Sequence, residues 1–293
     1  MDTSLKAADT QQLSFLSPAK VNLFFRILYK RDDGFHEIAS LYQAISLFDK
    51  LQIKLSDKDV FTTDDPSLAL DQTNLVTKAL ALFRKKTGDF SCFSIHLEKK
   101  IPKEAGLGGG SSNAATALWA FCSILQKNVP IEELKKWGAE LGSDVPFFFT
   151  LGTAYGTSRG EILEEIPSVS SFPLWIAKPN WGLSTAKVYG SCDVSKFPSE
   201  RRDPVFDLRD FLSGVKKFYN DLELPAFSLS PELKRVKEDL LRLGFSEVIL
   251  SGSGTAFFCI PPLTGDAFIP KLPGVDFFSV KTLQRNELRW YEL

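Results

Sequence analysis

Little in this chain can hold a metal or a disulfide. Its four cysteines, Cys92, Cys122, Cys192 and Cys259, form no Cys-x-x-Cys pair, and the only histidines are His36 and His96. That scarcity argues against a zinc centre and fits a reducing cytoplasm. Cys122 and Cys259 lie in apolar segments and read as core thiols. An excess of charge is also lacking: 35 basic against 36 acidic residues leave a net charge of -1. This excludes a general nucleic-acid or membrane-surface binder, though not a local basic patch. No apolar run approaches the length of a membrane span, and the N-terminus lacks the basic-then-apolar order of a signal peptide. Residues 1–12 are polar and read as a loose terminus.

The glycines are concentrated. Residues 93–101 alternate as a strand does, and residues 113–125 carry Leu118, Phe121 and Leu125 at helical spacing, with Ala114, Ala115 and Ala117 for close packing. Between them stand Pro102, Lys103, Glu104, Ala105, Gly106, Leu107, Gly108, Gly109, Gly110, Ser111 and Ser112. Four glycines and two serines at a helix start, with Ser111 or Ser112 as N-cap, present backbone N–H groups at the positive end of a helix dipole, which suits phosphate. A Walker loop is excluded because no Lys follows Gly110, and the dinucleotide fingerprint because position 111 is Ser. The plain alternative, a flexible linker, would not run directly into an apolar, Ala-rich helix.

At 293 residues, two domains are the default. Residues 13–28 read as two extended pieces about Pro18, with Lys20 and Asn22 on one strand face. Residues 30–34 make a turn, followed at once by Phe35 and His36 and a strand region from 38 to 55. Residues 56–72 are polar and turn-rich. Thr73 or Asn74 opens a helix that Gly88 ends, and Pro130 to Gly142 bounds another. Asp144 then stands beside the apolar Val145-Pro146-Phe147-Phe148-Phe149, either as a solvated turn residue or as a paired, functional carboxylate. Residues 153–166 read as a hairpin. In the second half, Ser184 caps a helix start, residues 190–210 are irregular, residues 220–223 lie at a helix end, Ser230-Pro231 starts a helix that Gly244 closes, and residues 248–260 form a hairpin. Strands and helices mix without strict alternation, which predicts an α+β fold in two domains, 1–165 and 166–293.

Four stretches in this order carry a resemblance: Pro18-Ala19-Lys20-Val21-Asn22-Leu23, the glycine stretch 102–112, Leu141-Gly142-Ser143-Asp144-Val145-Pro146, and Leu250-Ser251-Gly252-Ser253-Gly254. Together they resemble the GHMP kinases, named for galactokinase and the homoserine, mevalonate and phosphomevalonate kinases, over roughly residues 13–260. Arg31-Asp32-Asp33-Gly34-Phe35-His36 and Asn220-Asp221-Leu222-Glu223 are similar to the branch that phosphorylates the 2-hydroxyl of a cytidyl diphosphate of methylerythritol in the non-mevalonate route to isoprenoids. Phe35 stands where Tyr is usual, Ser143 where Ala is common, and Ser158 where Gly is frequent; the last leaves the turn at 156–160 open.

The resemblance implies a ribosomal-protein-like N-terminal β-α sandwich and a ferredoxin-like C-terminal α+β domain. It implies ATP and Mg2+ as cofactors, with residues 102–112 and Asn74 on the ATP side and Ser112 as a ligand for the cation. Asp144 takes the place of the catalytic acid and Lys20 that of its partner. Phe35 and His36 fall at the cytidine site, and Asn22, Tyr42, Thr185 and Tyr189 at other substrate contacts. Read without the family, Lys20 is as well a solvated lysine, Phe35 a core aromatic and His36 a turn residue. Two other functions compete: a GHMP kinase for a substrate without a nucleobase, and a non-catalytic module like the related ribosomal-protein domain. Phe35-His36 argues against the first; near-zero charge and the Lys20/Asp144 pair argue against the second. The sequence leaves the oligomeric state open.

Overall fold

The computed structural model describes residues 12–166, 171–198, 203–262, 268–286 and 289–291. The terminus expected at 1–12 lies, Gln12 apart, outside them.

The first sheet grows from one long hairpin. Strand β1 (Leu13–Lys30) pairs antiparallel with β2 (His36–Ser56) along its length. The two extended pieces expected about Pro18 are a single strand, because a register shift between Pro18 and Ala19 absorbs the residue that cannot donate to the ladder. β3 (Val60–Thr63) lies inside the stretch expected to be irregular, too short for alternation to reveal it. Helix α1 (Leu75–Thr87) starts where Asn74 accepts from the Val76 N–H, and it ends at Gly88, φ 69°. β4 (Cys92–Glu98), α2 (Gly109–Ile124), α3 (Ile131–Leu141), a 3-10 turn (Pro146–Phe149), β5 (Thr153–Ser158) and β6 (Ile162–Glu165) follow. β2 is long enough to pair with β4 through residues 50–56 and with β5 through residues 38–43. Beneath this sheet, α1, α2 and the buried Phe147, Phe148 and Phe149 form one core.

The second sheet has the order β11-β7-β10-β9, all antiparallel, from β7 (Pro173–Pro179), β9 (Glu247–Leu250), β10 (Phe257–Ile260) and β11 (Val275–Lys281). Helices α4 (Thr185–Gly190), α5 (Pro204–Leu212), α6 (Glu223–Leu229) and α7 (Pro231–Arg242) accompany it. The region 190–210, expected to be irregular, contains a 3-10 turn and α5, whose N-cap Asp203 accepts from Val205 N–H. Buried Asp207 of α5 pairs with Arg26 of β1 at 3.0 Å, a tertiary anchor that no local pattern announces.

The chain beyond residue 166 does not keep to the second sheet. Strand β8 (Tyr219–Asn220) adds in parallel to β1, and Trp290 and Tyr291 sit in the first core. The motif 220–223 stitches the halves. Asn220 Nδ2 donates to the carbonyls of Leu250 and Gly252, both at 2.7 Å, Asp221 accepts from Ile27 N–H, and Glu223 accepts from Leu250 N–H and Lys237.

Candidate active site

An open cleft of about 1040 Å³ runs between the halves. Every residue that the resemblance placed at the ATP, catalytic or substrate site lines it except Asn22 and Ser112.

Lys20 lies at its floor. The residue is 3% exposed, and its Nζ donates to Asn22 Oδ1 at 2.9 Å and stands 3.4 Å from Asp144 Oδ2. Strand alternation puts Lys20 and Asn22 on one face, and Asn22 is fixed by donating to Ser40 Oγ at 2.7 Å. Asp144 reaches the same point from the turn after α3, with its side chain one-third exposed. The carboxylate is therefore paired while one-third exposed. The ammonium also lies 5.5 Å from the centre of the Tyr42 ring. Burial first, and the Asp144 charge second, push the Tyr42 and Tyr189 phenols up, so both stay neutral hydroxyls.

The glycine stretch wraps over this pair. Lys20 N–H donates to Leu107 O at 2.9 Å. Gly106 and Gly108 are left-handed, φ 72° and 70°. A Cβ on Gly106 would stand 1.9 Å from the Ser251 carbonyl oxygen, so only glycine fits. The turn after β9 holds the stretch down: Thr255 N–H and Ala256 N–H donate to Glu104 O and Ala105 O, both at 3.1 Å. α2 begins at Gly109 with Gly108 as N-cap, earlier than the cap expected at Ser111 or Ser112. Neither serine caps it. The first-turn N–H groups are therefore free of a side-chain cap, and no acidic residue stands in that turn to compete with an anion. Ser111 lines the cleft; Ser112 is fully buried and its hydroxyl has no partner among the described residues.

Asp49 was not legible in the sequence. It is fully buried in β2, and its carboxylate accepts from Lys99 Nζ, from the N–H groups of Lys100 at 2.7 Å and Ile101 at 2.8 Å, and from Asn113 Nδ2 at 2.9 Å. A buried carboxylate demands such partners. Here they are both ends of the glycine stretch and Lys99, which faces the cleft.

Lys103 and Asn74 stand at one end of the cleft. Lys103 pairs with Asp65 at 2.9 Å, and the Asp65 carboxyl is pulled down to about 2, by the Ser67 hydroxyl first and Lys103 next. Asn74 spends its oxygen capping α1 and donates Nδ2 to Ala69 O at 2.7 Å. At the other end, Phe35 is 53% exposed and His36 is buried, its ring 5.6 Å from that of Tyr189. His36 Nε2 has no partner among the described residues, and burial, then the Lys30 charge, depress its pKa. Thr185 shares a 2.7 Å hydrogen bond with Ser253, so the turn at 251–254 reaches the same wall.

The open question at Ser158 has a physical answer. Its φ is 62°, the region that favours glycine. Ser158 N–H donates to Glu37 at 2.9 Å and its hydroxyl accepts from Arg31 at 2.7 Å, which holds the strained backbone in place.

Among the described residues no group of three His, Cys, Asp or Glu is placed to hold a metal, and no helix is long and apolar enough to cross a membrane.

Two family profiles match: the GHMP kinases N terminal domain over residues 74–152 and the GHMP kinases C terminal over 205–271. The chain is 44% identical to the 4-diphosphocytidyl-2-C-methyl-D-erythritol kinase of Protochlamydia amoebophila, covering 95% of this chain and 93% of that one. It is 42% identical to the chloroplastic enzyme of the same name from Oryza sativa, covering 97% and 74%. A crystal structure of 4-(cytidine 5'-diphospho)-2C-methyl-D-erythritol kinase superposes with a TM-score of 0.76 at 30% identity, covering 92% and 99%. With this fold and this agreement along nearly its whole length, the chain belongs to the GHMP kinases, and within them to the 4-diphosphocytidyl-2-C-methyl-D-erythritol kinase family.

Proposed function

We propose that this protein transfers the γ-phosphoryl group of ATP to the 2-hydroxyl of 4-diphosphocytidyl-2-C-methyl-D-erythritol, a step of the non-mevalonate route to isoprenoid precursors. The observation that carries this is the meeting of Lys20 and Asp144 at 3.4 Å under the glycine stretch, in the cleft that also holds Phe35 and His36. Phosphoryl transfer asks for alignment and charge neutralisation rather than covalent chemistry. Asp144 accepts the proton of the attacking hydroxyl; Lys20, paired with that carboxylate at 3.4 Å, neutralises charge at the nucleophile. The uncapped first turn of α2 and residues 102–111 bind the triphosphate, with Lys103 and Asn74 toward the adenosine. Asn22, Tyr42, Thr185 and Tyr189 position the acceptor, Asn22 through Lys20.

A bound Mg2+ would supply neutralisation of the charge that develops on the transferring phosphoryl group. The residues would fit a cation held chiefly by the nucleotide: the cleft offers scattered oxygens of Glu104, Asp144 and Ser111, and among the described residues no group of three ligating side chains is placed to hold a metal. Ser112, buried away from the cleft wall, is poorly placed to be its ligand. The free thiols fit action in a reducing cytoplasm.

The test is turnover with ATP and four acceptors: the cytidyl conjugate, free methylerythritol, mevalonate and homoserine. Phosphorylation of the conjugate alone is expected. Turnover of the free polyol at a similar rate, or of mevalonate or homoserine in its place, would overturn the assignment.

A further inference from the structure

Arg159 is not among the residues that the sequence assigned to the site. It lines the cleft with its guanidinium carbon 5.0 Å from the centre of the Phe35 ring. Two features make this pair a built one. The first is its support. Arg31 pairs with Asp33 at 3.0 Å and Glu37 at 2.8 Å, and donates to Ser158 Oγ at 2.7 Å. Asp33 in turn accepts from Phe35 N–H at 3.1 Å. Arg31 therefore ties the turn that carries Phe35 to the left-handed residue that precedes Arg159. The second is the division of donors on Arg159. Its Nε and its N–H are both taken by Glu161, at 3.2 and 2.9 Å, while its terminal amino groups donate to no described residue. A planar cation thus lies on a half-exposed aromatic ring with its outer N–H groups unspent beside an open cleft.

We propose that Arg159 is a specificity-determining residue of the base site, donating from its terminal amino groups to the acceptor atoms on the pairing edge of cytosine while Phe35 supplies the stacking face. This rests on the function proposed above. The chemistry favours the base over its near relative. Cytosine presents two adjacent acceptors, N3 and O2, whereas uracil carries a hydrogen on N3. Arginine is a donor only, in a planar fork, so it fits the first and opposes the second.

The experiment is calorimetric binding of cytidine diphosphate and uridine diphosphate to the intact wild-type chain and to its Arg159→Ala and Arg159→Lys variants. Arg159 is only one-third exposed at its side chain but sits in a surface turn, so unchanged melting temperatures are expected and checked first. Wild type should prefer the cytidine form. Arg159→Ala should lose about tenfold or more for cytidine diphosphate, the range of one good base contact, with little change for the uridine form. Arg159→Lys, which keeps charge but not the fork, should restore neither the affinity nor the preference. Equal losses for both nucleotides would assign Arg159 to the shared diphosphate and overturn the proposal, as would unchanged affinities or a wild type without preference. Binding is read apart from turnover. A selective loss in Arg159→Ala, in a protein whose wild type phosphorylates no cytidyl conjugate, would sink the reaction and leave the base site standing.

Discussion

Lys20 Nζ stands 3.4 Å from Asp144 Oδ2, with the ammonium buried and the carboxylate one-third exposed. The exposure falls on the partner proposed to meet the substrate. Asp144→Asn keeps the shape and removes the base; kcat should fall by about 10²–10⁴ with ATP affinity unchanged by calorimetry. Lys20→Met should lower kcat as well. It also leaves Asn22 Oδ1 without its donor, at a cost of about 1–3 kcal/mol, so the melting temperature should drop by a few degrees. A Lys20→Met variant with intact turnover and lower stability would make the pair a structural one.

Gly106→Ala tests the seat of the glycine stretch. The new methyl would meet the Ser251 carbonyl at 1.9 Å in a left-handed backbone, so the stretch must leave the turn at 251–254. ATP KM should rise by about tenfold or more, and the melting temperature should fall. Gly109 is a less direct probe, since its added Cβ would meet Ile101 at 3.0 Å rather than enter the cleft. Normal ATP binding by Gly106→Ala would show that the stretch needs no support from the second half.

Asp49→Asn should act on the nucleotide without touching it. Each carboxylate oxygen accepts from two donors, Oδ1 from the Lys100 and Ile101 N–H groups and Oδ2 from Lys99 and Asn113, so replacing one by an amide nitrogen orphans two donors and takes the counter-charge from Lys99. Breaking a buried pair costs about 3–5 kcal/mol. The chain should melt earlier, and in the folded fraction ATP KM should rise while the cytidyl KM stays constant. Equal changes in both would reduce Asp49 to a general stability residue.

His36 supplies a pH dependence. Its pKa is held below the ordinary 6.5, by burial first and by the Lys30 charge second. A depressed histidine resists protonation in the fold, so its contribution to stability is complete above about 6.5 and is lost as pH falls from there through the lower folded value. The cytidyl KM should be flat between about pH 7 and 8 and rise in that acid window, while the ATP KM does not. His36→Gln should flatten the profile; an unaltered acid limb would place the titrating group elsewhere.

Features that act within a few residues are legible along the chain. Asn74 and Gly88 bound α1 because a cap and a left-handed stop act within a few residues. The shared strand face of Lys20 and Asn22 follows from alternation alone, and the glycine-serine run announced a helix start. Tertiary structure decided what depends on residues far apart in the chain. β8 exists as a strand only because β1 offers an edge to Tyr219 and Asn220, two residues too few for any periodicity. α2 begins before its serines because the chain above it is pinned by Asp49 and by the turn at 251–256, so tertiary hydrogen bonds replace a side-chain cap. Asp49 reads in sequence as one more polar residue of a strand, since its partners lie 50 to 64 positions away. The same holds for Arg159, whose meeting with Phe35 requires β5 to lie beside β2. Charge, spacing and turn chemistry are written along the chain; which charge faces which is a matter of sheet register, and register is settled only when the apolar faces of both sheets are buried together.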